Sequence, residues 1–254
     1  MPPTSSAHAK LTRASHLQEA LARDLEVLGA AQSYTIVKDT DSATGYCRFR
    51  FSSVPVMPND LDLRIGEVLY NYRCALDHLV WQLALSKGNQ PDEHNEFPIF
   101  NNADKYEKAK VIKLHGLSPD AIAVIDRFQP FQCVLPNDYW WYLWYLYRLS
   151  NADKHRQLLF TRRHISTLAV GWFSDGTVKP PIVSRLRGQV DPDQEIVSVL
   201  DTTGMNDLTV RPRILVCFSD PPADIRTDMP VHNIMGLIDT AVHEVFARLD
   251  GYLG

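Results

Sequence analysis

The chain lacks an apolar run that could span a lipid bilayer. Its most membrane-like stretch is the aromatic run at 139–147, which has nine residues, whereas a membrane-spanning helix needs about 20. The first ten residues contain no apolar stretch that could form the core of a signal peptide. The sequence therefore predicts a cytoplasmic protein with no membrane partner.

Cysteine is scarce and widely spaced, since the four cysteines are Cys47, Cys74, Cys133 and Cys217. No pair has the close spacing of a zinc knuckle or a redox motif, so we expect four reduced, mostly buried thiols. Gly-rich phosphate loops, nucleophile elbows and internal repeats are also missing from the sequence. We expect no cofactor.

A stripe on the last predicted helix is the nearest approach to a metal-binding pattern. It consists of His232, Asp239 and His243, and it spans three turns without a tight two-histidine motif. Such a pattern is typical of a solvent-facing helix surface. We expect no metal ion there.

Neither charge nor composition indicates a specialised class of protein. The chain has 26 Lys+Arg against 30 Asp+Glu, a net charge of −4, with 45% hydrophobic and 22% charged residues. These values are ordinary for a globular protein, and nothing global indicates a nucleic-acid partner. No Gly/Ser-rich linker divides the 254 residues, so we predict a single domain over 1–254.

Hydrophobic periodicity predicts an α+β fold, in which about four longer helices pack with an antiparallel β-sheet. The helical portion covers about 8–156 and 229–252, the N-terminal hairpin about 34–54, and the sheet region about 157–218. The helices are predicted at about 8–30, 60–87, 138–156 and 231–249, and shorter ones near Lys105 and after Ser118. Strands are predicted at 34–37, 46–51, 158–160, 165–173, 182–186, 195–200 and 208–218. Asp60, Ser118 and Asn137 are the predicted N-caps.

Polar residues interrupt two of these helices, which are otherwise rich in Leu, Trp and Tyr. At 100° per residue, the second helix carries two stripes. One contains Glu67, Asn71, Cys74, His78 and Gln82, and the other contains Tyr70, Arg73, Asp77 and Trp81. The third long helix carries Trp144, Arg148, Asn151 and His155 on one stripe, and it ends in Asp153-Lys-His-Arg156. Matched stripes predict that the two helices meet at a cluster containing Arg73, Asp77, Asp153 and His155.

Two interpretations of these stripes stay open. In the structural one, Arg73 and Asp77 pair at i,i+4, and residues 154–156 form a basic helix end that complements the helix dipole. In the functional one, the polar side chains line a pocket between the helices, where burial would shift their pKa values. The functional interpretation also includes a small-molecule enzyme with such a pocket, for which the sequence suggests no reaction.

Three segments carry a resemblance to a known family. They are Ile65–Leu83, with an Asn-x-Arg-x-Ala-Leu-Asp-His-Leu-x-Trp-Gln-Leu pattern, Asn95-Glu-Phe-Pro-Ile-Phe100, and Asp153-Lys-His-Arg156. In this order they resemble an uncharacterised family of bacterial proteins. More distantly, Arg73-Cys-Ala-Leu-Asp-His78 resembles the Arg-x4-His motif of HEPN domains. Those domains are four-helix, often dimeric, and many are metal-independent RNases of toxin and phage-defence systems.

The HEPN resemblance implies an RNA-binding protein or a metal-independent endoribonuclease, with RNA as partner and a homodimer as assembly. It implies that His78 acts in acid–base chemistry on the RNA 2′-hydroxyl and that Arg73 stabilises phosphate charge. Asn71, Asp77, Asn151, Asp153, His155 and Arg156 would support them. Two features depart from the pattern, because Cys74 replaces the polar residue that usually follows the arginine and a large β region follows the motif. The alternative is a non-catalytic binding or scaffolding protein whose polar cluster is structural.

Overall fold

The computed structural model describes residues 5–30, 34–133, 140–155, 159–174, 177–178, 182–184, 188–190, 195–200 and 208–253. Within them the chain is α+β, as predicted. The helices are α1 (Ser6–Gly29), α2 (Leu61–Leu85), α3 (Ala103–Lys113), α4 (Pro119–Arg127), α5 (Trp141–His155) and α6 (Val231–Leu249). Short 3-10 turns lie at Pro130–Gln132 and Asp250–Tyr252.

The strands are all paired antiparallel and belong to two sheets. They are β1 (Thr35–Thr40), β2 (Tyr46–Ser53), β3 (Thr161–Ser174), β4 (Thr177–Val178), β5 (Ile182–Ser184), β6 (Gly188–Gln189), β7 (Glu195–Leu200) and β8 (Leu208–Phe218). The hairpin of β1 and β2 recruits β7 as a third strand. The long strand β3 pairs with β8 from Thr161↔Phe218 to Trp172↔Leu208, and also with β4, β5 and β6. The antiparallel pairing is confirmed, but it is divided between two sheets.

The predicted N-caps and the predicted strand at 158–160 have different outcomes in the structure. Ser118 caps α4 as predicted, because its side chain accepts the Ala121 N–H. Asp60 precedes α2 but makes no side-chain capping bond. Asn137 lies outside the described residues. The predicted strand at 158–160 is not formed by Leu159 and Phe160, since β3 begins at Thr161.

Two apolar clusters form the interior. The first joins α1, α2, α4, α5 and α6, and Val216 and Phe218 of β8 belong to it. The second is built on the strands, with Phe49 and Phe51 of β2 against Ile165, Leu168 and Ile214 of the larger sheet. The end of β8 therefore carries the sheet onto the helices. Helix α2 is the most enclosed element, since thirteen of its residues are buried.

No helix in the described part of the chain is both long enough and apolar enough to cross a membrane.

Candidate functional site

Arg73 is a buried arginine in the middle of α2. The residue is 9% exposed, and its Nη2 lies 2.9 Å from Asp77 Oδ1 and 3.5 Å from Glu96 Oε2. Its Nη1 is buried and has no hydrogen-bond partner among the described residues. Burying a guanidinium removes its hydration, which is unfavourable unless compensating charge lies close by. Asp77 and Glu96 supply it.

The segment before Phe97 is fixed to α2 by the same carboxylate that pairs with Arg73. Asp77 Oδ1 accepts the Phe97 N–H at 2.9 Å, and Glu96 also contacts Lys113 at the end of α3. Burial lowers the pKa of Lys113, and the charge of Arg73 acts in the same direction, whereas Asp77 opposes it. Two cations and two carboxylates thus form one compact set, which we call the Arg73 cluster: Arg73, Asp77, Glu96 and Lys113.

A buried asparagine completes the connection between this segment and α3. Asn95 is 6% exposed. Its Nδ2 donates to the carbonyls of Lys113, at 3.3 Å, and His115, at 3.0 Å, while its Oδ1 accepts the Asp92 N–H at 2.8 Å. This one side chain thus ties the 92–95 segment to the last residue of α3 and to the loop that follows it. None of Glu96, Asn95 and Lys113 was among the predicted site residues.

His78 lies on a different side of α2 from Arg73. Five helical positions correspond to a rotation of about 140° between two side chains, so the Arg-x4-His spacing separates them on an unbroken helix. His78 Nδ1 is 2.9 Å from Ser6 Oγ at the start of α1, and Gln82 Nε2 donates to the same hydroxyl at 3.0 Å. The imidazole is half-buried and is held by α1.

An open cleft of about 280 Å³ lies beside His78. Its lining residues are Ser6, Asp77, His78, Trp81 and Asn95. Trp81 is 41% exposed, and the side chain of Asp77 is 31% exposed. Arg73 is not among these lining residues. Among its described lining residues, the cleft therefore presents one carboxylate, one imidazole, one indole, a hydroxyl and an amide, and no Lys or Arg side chain.

Asp153 does not meet Arg73, which corrects the predicted cluster. Its carboxylate packs against Gly66, where a Cβ would lie 2.6 Å from Asp153 Oδ2. Gly66 precedes Arg73 by seven residues, about 10 Å along the helix axis. Burial raises the pKa of Asp153, and Lys154 opposes that effect. The helices α2 and α5 do touch, with Asp153 against Gly66 and Lys154 Nζ 5.8 Å from the centroid of the Tyr70 ring, but no ion pair joins them among the described residues.

The polar stripe on α5 contacts the segment between β8 and α6, and not α2 as predicted. Trp144 Nε1 donates to Asp224 Oδ2 at 2.5 Å, and Arg148 Nε donates to Asp224 Oδ1 at 3.0 Å. Asp224 belongs to the segment that connects β8 with α6. Arg148 is therefore part of an anchor for this connection and not of a pocket against α2.

The remaining predicted site residues do not extend the Arg73 cluster. Asn71 donates to the Glu67 carbonyl, one turn earlier on the same helix. Asn151 is half-buried on α5. His155 ends α5, but its side chain is not described, and Arg156 lies outside the described residues. Of the eight predicted site residues, only Arg73 and Asp77 are joined by a direct bond among the described contacts.

A second polar node lies on another side of α2, about 100° around the helix axis from Arg73, and we call it the Tyr72 node. The Tyr72 hydroxyl donates to Asp239 Oδ1 of α6 at 2.5 Å, and Ser15 of α1 donates to the same oxygen at 3.1 Å. His243 Nε2 is 2.9 Å from Ser15 Oγ and 3.3 Å from Asp239 Oδ1. Burial raises the pKa of Tyr72, and the hydrogen bond to Asp239 adds to it.

The Tyr72 node contains serine, histidine and aspartate but lacks the geometry of a hydrolytic triad. In a triad, the serine and the aspartate bind opposite nitrogens of the imidazole. Here both approach Nε2 of His243. The predicted solvent-facing stripe on α6 thus places Asp239 and His243 over α1.

No group of three or more His, Cys, Asp or Glu side chains that could hold a metal ion occurs among the residues whose placement is described. Comparison of the chain with protein-family models, with curated proteins and with solved structures found no match.

Proposed function

We propose that the protein is a non-catalytic binding protein that receives the cationic group of a ligand in the cleft beside His78. The burial of Arg73 between Asp77 and Glu96 carries this proposal. A phosphate group would have to displace two carboxylates to reach the guanidinium. The Arg73 cluster is then a structural device that fixes the 92–97 segment to α2.

The chemistry of the cleft favours a cation. Asp77 Oδ1 is engaged by Arg73 and by the Phe97 N–H, but its Oδ2 forms no bond with a described residue and can accept from an ammonium or guanidinium group. The exposed indole of Trp81 attracts the same cations through its π-face. Nucleic-acid grooves, by contrast, are lined with Lys and Arg. A ligand with an amine or guanidinium group is therefore the class that fits.

Titration with agmatine, followed on the indole N–H signals of the protein by NMR, tests this assignment. We expect the Trp81 signal to shift and Trp81→Ala to weaken binding about fivefold or more. Leu85→Ala is the matched control, because Leu85 is 46% exposed one turn later on α2. Equal binding of agmatine and neutral 1-pentanol, or equal loss in both variants, would refute the proposal.

A metal-independent ribonuclease is the second candidate, and the position of His78 favours it. Its imidazole lines the cleft, and beyond the contact of Nδ1 with Ser6, no described residue pairs with its Nε2. If Nδ1 carries the hydrogen and donates it to Ser6, Nε2 can accept a proton from a 2′-hydroxyl. The candidate does not use Arg73, because that side chain is enclosed.

Cleavage of a single-stranded RNA in EDTA tests this second candidate. We expect activity in the wild type, its loss in His78→Ala, and its retention in His16→Ala, which changes an exposed histidine of α1. Thermal melting must show that both variants are folded. Wild-type protein without cleavage activity, or an active His78→Ala variant, would exclude the candidate. The HEPN resemblance also implies a homodimer, which sedimentation equilibrium would detect.

A further inference from the structure

A second cleft, of about 490 Å³, lies where α4 and α6 end. It is lined by Val124, Arg127, Phe128, Trp140, Arg248 and Tyr252. Its volume falls within the range typical of small-molecule sites. None of its described lining residues also lines the cleft beside His78.

The walls of this cleft are aromatic and well packed. Phe128 and Trp140 meet edge to face with ring centroids 4.4 Å apart. Phe128 is 3% exposed, so its position is fixed by the core, while Trp140 and Tyr252 are half-buried. A flat apolar body could lie against these rings and remove apolar surface from water.

Two guanidiniums border the same cleft. Arg127 is the last residue of α4 and is exposed. Arg248 is exposed in the last turn of α6, and its Nε donates to Glu244 at 2.9 Å. No described residue forms a hydrogen bond or ion pair with Arg127. The cleft therefore combines apolar walls with two guanidiniums. A guanidinium can donate two parallel N–H bonds to the two oxygens of a carboxylate.

We infer that this cleft is a binding site for a small aromatic carboxylate, with the ring against Phe128, Trp140 and Tyr252 and the carboxylate between Arg127 and Arg248. The combination distinguishes this surface from the cleft beside His78, whose charged group is Asp77. This inference does not depend on the proposed function, because no residue of either candidate activity takes part.

Arg127 and Arg248 would also have a role without any ligand, because cations in the last turn of a helix complement its dipole. Binding must therefore be measured directly rather than inferred from stability. The probe pair is 2-naphthoate and its neutral analogue 2-naphthamide, each titrated into the protein by calorimetry. The amide keeps the ring system and removes the charge.

We expect 2-naphthoate to bind about tenfold more tightly than 2-naphthamide. The Arg127→Ala/Arg248→Ala double variant should lose that preference, while Arg127→Lys/Arg248→Lys should keep part of it. Arg13→Ala/Arg23→Ala is the matched control, since both arginines are exposed on α1, and it should keep all of it. The Trp140 indole signal in NMR should shift on binding.

Three results would overturn the inference. They are the absence of 2-naphthoate binding at millimolar concentration, equal affinity for the carboxylate and the amide, and a preference that persists in the double alanine variant. A thermal melt of each variant separates lost binding from lost folding. If the double alanine variant is unfolded, the double lysine variant and the Trp140 signal decide the outcome.

Discussion

The Arg73 cluster and the Tyr72 node lie at adjacent positions of one helix, yet they satisfy a buried polar group in different ways. Arg73 carries a full charge into the interior and is surrounded by two carboxylates and a lysine. Tyr72 carries only a hydroxyl, which needs one acceptor and finds it in Asp239. A buried charge requires neutralisation as well as hydrogen bonds, whereas a buried hydroxyl requires a hydrogen bond alone. Disrupting the Arg73 cluster should therefore destabilise the folded protein more than disrupting the Tyr72 node.

Asp77→Ala should produce the largest effect. It removes the shorter of the two ion pairs of Arg73 and the acceptor of the Phe97 N–H, leaving Glu96 at 3.5 Å as the remaining carboxylate of the Arg73 cluster beside the guanidinium. We expect the free energy of unfolding to fall by about 3 kcal/mol, measured by urea denaturation. Asp77→Asn keeps an acceptor for Phe97 and separates the charge from the hydrogen bond. An unchanged midpoint in both variants would mean that the pair contributes nothing.

Tyr72→Phe should cost less, about 1–2 kcal/mol, because it removes one hydrogen bond and leaves the ring in the core. Asp239 keeps Ser15 and His243 as partners. Ser15→Ala is the matched control, since it removes a donor to the same carboxylate oxygen from a half-buried position. A loss from Tyr72→Phe that exceeds the loss from Asp77→Ala would reverse the comparison between the two sites.

Asp153→Asn should have the smallest effect, and at neutral pH it should increase the free energy of unfolding. Because burial raises the pKa of Asp153 above 3.8, the folded protein holds that proton more tightly than the unfolded chain. The wild type therefore gains stability, relative to the Asn variant, as the pH falls from neutral towards 3.8. We expect the variant to be more stable at pH 7 by less than about 1 kcal/mol.

Urea denaturation of both proteins at pH 7 and at pH 4.5 checks this pH dependence. The difference should shrink at the lower pH. A difference that grows on acidification would show that the ionised carboxylate of Asp153 is stabilising in the folded state.

The sequence predicted the elements well where local patterns decide them. The apolar periodicity of α1, α2 and α6 and the cap at Ser118 required no knowledge of distant residues. Helix α3 was only outlined by the prediction near Lys105, because Tyr106 is its one fully buried residue. A helix with so little buried surface has almost no periodic signal.

The site was harder to predict because its partners are far apart in the sequence. The i,i+4 pair of Arg73 and Asp77 was foreseeable from spacing alone. Glu96 and Lys113 were not, since nothing in their local sequence indicates which helix they approach. Arg148 was assigned to the wrong neighbour for the same reason. A stripe on a helix shows that a face is polar, but not which segment covers it.

The Tyr72 node joins residues that are synthesised at very different times. Ser15 and Asp239 are 224 positions apart, and Tyr72 and Asp239 are 167 apart. Helices α1 and α2 can pair early on the ribosome. The Tyr72 hydroxyl has no acceptor from α6, however, until α6 has emerged. Closing such long loops slows folding relative to a bundle of sequential helices. The helical core should therefore be completed only after α6 has emerged from the ribosome, and shortening α6 should leave a collapsed intermediate rather than a smaller folded protein.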